Sequence, residues 1–178
     1  MASPDVGRLV TQITEAFAQA ERPGDWALID STEGEEPALL RQELTGRGDW
    51  RSLDVAFLDQ LPAGYGSALS FFSHEAFRYF LPAYMIGDLK GRLRQANPVF
   101  HLCHGLDEAS ADAPVNRRRY GAQTWSDVAR FKFSPFTDEE AKAVVAYLEH
   151  MATSDEFNRP SIEQALALFW RPKAADTK

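Results

Sequence analysis

The stretch from Phe71 to Leu89 constrains the fold more than any other part of the chain. Within it Phe77, Phe80, Leu81, Tyr84, Met85 and Leu89 recur at helical spacing, and little polar face remains before Asp88. A helix that is apolar nearly all round is stable only when other elements surround it. Ser73 stands where an N-cap belongs, because its hydroxyl can accept an orphan backbone N–H. Glu75 then falls in the first turn, where the helix dipole favours an anion. Pro82 removes one donor and crowds the preceding turn, so the helix is expected to kink or break there. The apolar run around Ala76 to Ile86 is interrupted by Arg78 and Pro82 and falls far short of the roughly 18 residues of a membrane span.

The remaining segments supply the covering. A chain of 178 residues, 44% hydrophobic and 25% charged, fits one globular domain that needs neither disulfides nor a metal to fold. Val6, Leu9, Val10, Ile13 and Phe17 follow a helical period, with Ser3 or Asp5 as cap and Pro23-Gly24 as stop. Asp25 to Glu36 reads as a loop, Pro37 to Leu44 as a short helix, and Leu53 to Leu61 as another, with Trp50 anchoring its start. Gly64-Tyr65-Gly66-Ser67 reads as a turn between helices. Asn97 to Pro114, the least periodic region, with a short apolar run at Val99 to Cys103, is expected to hold a short strand or an irregular loop. Ala129 to Phe136 alternates through Phe131 and Phe133 and predicts extended chain. Thr137 and Glu140 form a capping box ahead of Ala141, Val144, Val145, Leu148 and Met151. Ser161 and Gln164 repeat that pattern for a last helix ended by Arg171-Pro172, with residues 172–178 frayed. Trp26, Trp125 and Trp170 are expected in the core or at its edge. The expected fold is mostly α, or α with minor β: a single domain over 1–178, with about six helices around a buried, Pro-kinked central one.

Leu69 to Met85 reads Leu-Ser-Phe-Phe-Ser-His-Glu-Ala-Phe-Arg-Tyr-Phe-Leu-Pro-Ala-Tyr-Met. This resembles the hallmark of a bacterial family known only as a domain of unknown function, with its Ser-x-Glu-x-Phe-Arg-Tyr-aromatic-Leu-Pro-Ala stretch. A second element of that family, Phe-Thr-x-Glu followed by a Val and an aromatic-Leu pair, is matched by Phe136 to Glu139, Val144, Tyr147 and Leu148. His74 stands where the family often has Pro. The resemblance implies an intact domain and brings no activity.

Two constellations carry candidate chemistry. Glu75, Arg78 and Tyr79 share the central helix, and Glu75 and Arg78 lie three apart on one face. An arginine in so apolar a helix must be paired or hydrogen-bonded. It reads as a binding spot for an anion or a partner, or as a tie to a neighbouring loop. His101, Cys103 and His104 place three metal-ligand types within four residues. A zinc site needs a fourth group, so an ordinary buried segment is the stronger reading, and a Cys103 nucleophile the weakest. Arg117 to Arg119, Glu33 to Glu36 and Asp107 to Asp112 read as solvated loops. No nucleotide-binding, zinc-protease or nucleophile-elbow motif occurs.

Net charge is -7, from 26 acidic and 19 basic residues, which argues against nucleic-acid binding. A single cysteine and no leader-like N-terminus favour the cytoplasm. The leading expectation is a non-catalytic protein-binding module without a cofactor, such as the inhibitor of a basic bacterial toxin or effector. The alternatives are a small metal-dependent hydrolase using His101, Cys103 and His104, and an anion or nucleotide sensor with a pocket near Arg78. Oligomeric state is left open.

Overall fold

The computed structural model describes residues 4–31 and 34–175. Among the described residues the regular structure is helical, and β pairing is confined to two isolated bridges, Ile29 with Phe72 and Pro114 with Thr124. Six helices have seven or more residues: α1 (Pro4–Ala16, 13), α2 (Glu35–Leu44, 10), α5 (His74–Leu89, 16), α8 (Trp125–Phe133, 9), α9 (Asp138–Ser154, 17) and α10 (Arg159–Ala165, 7). Shorter ones are α3 (Val55–Gln60), α4 (Ala68–Phe71), α6 (Pro98–Cys103), α7 (Arg117–Tyr120) and α11 (Arg171–Ala175). Contacts group the chain into two compact units, Met1–Pro98 and Val99–Lys178.

In the first unit α5 is the buried element. Ala76, Phe77, Phe80, Leu81, Tyr84 and Met85 are all at or near zero exposure. The helix packs with α1, with α3 and with the 3-10 turn at Trp50–Ser52. Ser73 caps it as expected: its hydroxyl accepts the Ala76 N–H at 3.0 Å and donates to the Ala27 carbonyl at 2.7 Å. Pro82 does not break it, and the assigned helix runs through to Leu89. Gly87 permits close packing, since a Cβ there would sit 2.8 Å from Val55 Cγ1. Buried Asp59 accepts the backbone N–H groups of Arg94, Gln95 and Ala96, each at 2.9 Å, and so fixes the chain that follows α5.

In the second unit α9 packs against α10 and α11. Thr137 and Glu140 form the expected capping box, with Thr137 N–H donating to Glu140 at 2.8 Å. Several expectations are corrected. Within Asn97 to Pro114 the apolar run is helical: α6 opens at Pro98, which suits the first helical position because no partner is needed for a nitrogen there, while residues 104–113 are irregular as expected. The segment expected to be extended from Ala129 is α8. It is set by a second capping box, Thr124 with Asp127, and it buries Ala129 and Phe133, one helical turn apart. Ser161 does not cap α10; Asn158 occupies that position, without a side-chain cap bond, and Pro160 sits in the first turn. Pro172 does not end the last helix. A π turn at Leu166–Trp170 sends the Arg171 N–H to the Leu166 carbonyl, one residue further back than in an α-helix, and α11 continues from it. Ser3, Thr32, Glu33 and residues 176–178 lie outside the described residues.

Candidate functional site

The first predicted constellation divides between solvent and core. Glu75 is exposed, Arg78 is half-buried, and Tyr79 is buried, 6% exposed, with its hydroxyl accepting the Trp50 backbone N–H at 3.3 Å. Tyr79 is therefore a packing residue that positions Trp50. A cleft bordering α5 is lined by Ala83 and Ile86, beyond Pro82, together with Arg51, Lys90 and Arg92.

The second constellation sits on α6 and just after it. Cys103 is buried, and burial pushes its thiol up to about 12, with Asp107 adding to the effect. A thiol so held is protonated at neutral pH, whereas nucleophiles and metal ligands need the thiolate. Burial, with help from Lys132 and His104, pushes His101 down to about 3, so its ring is neutral. The His104 ring stacks on Phe100 at 5.0 Å and meets Trp125 at 4.7 Å. Burial lowers its pKa as well, against an opposing pull from Asp107. Among the described residues no group of three or more His, Cys, Asp or Glu side chains is placed to hold a metal ion. The rings of Phe100, His101, His104 and Trp125 meet in an aromatic cluster at this segment. Gly105 closes it at φ 83, where a Cβ would press on the Trp125 carbonyl.

Other candidate residues separate in a similar way. Arg117–Arg119 form an exposed helix, not a loop, because Asn116 accepts the N–H groups of Arg118 and Arg119. Asp107 is buried rather than solvated; it binds the Ser110 N–H at 2.9 Å. Glu36 accepts the Ser67 hydroxyl at 2.8 Å.

The residues that sequence reasoning passed over are exposed aromatics. Trp26, expected at the core edge, is 83% exposed. It occupies a single 3-10 turn, Asp25–Ala27, whose neighbours Leu28 and Ile29 take the buried positions, and its indole folds back over Gly24. Phe157 is 91% exposed, Tyr65 67% and Phe131 62%.

The profile of a family of unknown function, DUF6714, matches residues 6–174. The chain belongs to that family. The match runs through both compact units, from α1 into α11, and so includes the capped α5 and the capping box of α9. No curated protein and no solved structure matches the chain. Family membership therefore fixes the extent of the module and leaves its chemistry to the residues.

Proposed function

We propose that this chain is a non-catalytic, cytoplasmic protein-binding module, and that its partner is a basic protein, such as a bacterial toxin or effector that it inhibits. The observation that carries the reading is the set of large aromatic side chains held outward: Trp26, Tyr65, Phe131 and Phe157. Exposed aromatics cost solubility in a monomer, whereas they supply most of the energy at protein interfaces. The net charge of -7 adds steering toward a basic surface.

The test is affinity capture from the native host with the tagged full chain. A basic partner recovered at one-to-one stoichiometry, and released as salt is raised, is the expected result. Recovery of no stoichiometric partner would sink the reading.

A further inference from the structure

The carboxyl-terminal half of α5 borders an open cleft of about 320 Å³ within the unit Met1–Pro98. That volume lies in the range of small-molecule sites. Val10, Ala83 and Ile86 give it an apolar wall. Arg51, Lys90 and Arg92 also line it, against a single acid, Asp54. In a chain of net charge -7, this local surplus of cations runs against the overall balance.

The cations are not equally committed. Arg51 donates to Asp49 at 2.7 Å and lies over the Trp50 ring at 4.9 Å. Lys90 and Arg92 are exposed, and neither has an ion-pair partner among the described residues. A cation just past a helix C-terminus complements the dipole, which accounts for Lys90 but not for the convergence of Arg92 on the same cleft.

We propose that this cleft binds a small amphipathic organic anion. Lys90 and Arg92 hold its carboxylate or phosphate head, and the Val10–Ala83–Ile86 wall covers its apolar body. Phosphate suits Lys and Arg alike, whereas a carboxylate gains most from the planar arginine fork.

Titration calorimetry of the full-length protein with hexanoate, hexyl phosphate, inorganic phosphate and hexanol tests the assignment. Hexanoate or hexyl phosphate is expected to bind one-to-one, and the tighter of the two names the head group. Hexanol should bind at least about tenfold more weakly, a difference of about 1.4 kcal/mol. The double variant Lys90→Gln, Arg92→Gln changes only exposed side chains, and it should weaken the anion at least about tenfold with unchanged thermal unfolding. No binding of either organic anion at millimolar concentration overturns the proposal. So does equal affinity for hexanol, equal affinity for inorganic phosphate, or unchanged affinity in the double variant.

Discussion

Individual side chains decide more here through hydrogen bonds across long sequence distances than through recognisable motifs. Asp59 is the clearest case: its carboxylate is answered by three N–H groups 35, 36 and 37 residues away. Nothing local to Asp59 reveals that role, because the partners are backbone groups with no sequence signature. Replacing Asp59 with Ala leaves three donors without their acceptor and is expected to cost about 2–4 kcal/mol, measurable by denaturant unfolding. His101 offers a second residue-scale expectation. Its folded pKa, about 3, lies below the ordinary 6.5, so the unfolded chain binds the proton first as pH falls. The stabilisation from its neutral form is complete above that ordinary value and is lost progressively toward the folded one. Unfolding free energy should therefore fall with pH across this window, and His101→Gln should flatten part of the slope. An unchanged slope in that variant would show that the ring is not protected as described.

Among the elements, the legible ones carried local chemistry. Ser73 ahead of α5 and the Thr137–Glu140 box ahead of α9 were readable because a cap and its target lie within three residues. The same rule misleads at Ser161, where Pro160 and the approach of Asn158 start α10 earlier. Ser73→Ala should thus lower stability by about 1–2 kcal/mol, whereas Ser161→Ala should fall within about 0.5 kcal/mol of the parent. Thermal unfolding of the two variants side by side distinguishes them, and equal losses would contradict the assigned caps. α6 and α8 were misread for a different reason. Windows of six and nine residues hold too few turns for a period to emerge, and the Phe131–Phe133 alternation mimics a strand. In the folded chain Phe133 is buried and Phe131 is 62% exposed, the outcome of the helical rotation between positions two apart.

For the molecule as a whole, composition anticipates an acidic protein and periodicity a helical one, and the family match runs over residues 6–174. Exposure is a property of the folded surface, so the outward-facing residues are not legible in the sequence. Trp26 reads as a core-edge residue until the backbone around it is built, and Arg51, Lys90 and Arg92 look like scattered surface charge until the fold brings them to one cleft. The decisive measurement is the affinity of the captured partner for the parent chain and for Trp26→Ala, Tyr65→Ala, Phe131→Ala and Phe157→Ala, with thermal unfolding recorded alongside. A binding module of the kind proposed loses about 2 kcal/mol or more in at least one variant that unfolds like the parent. Equal affinity across all four would contradict it.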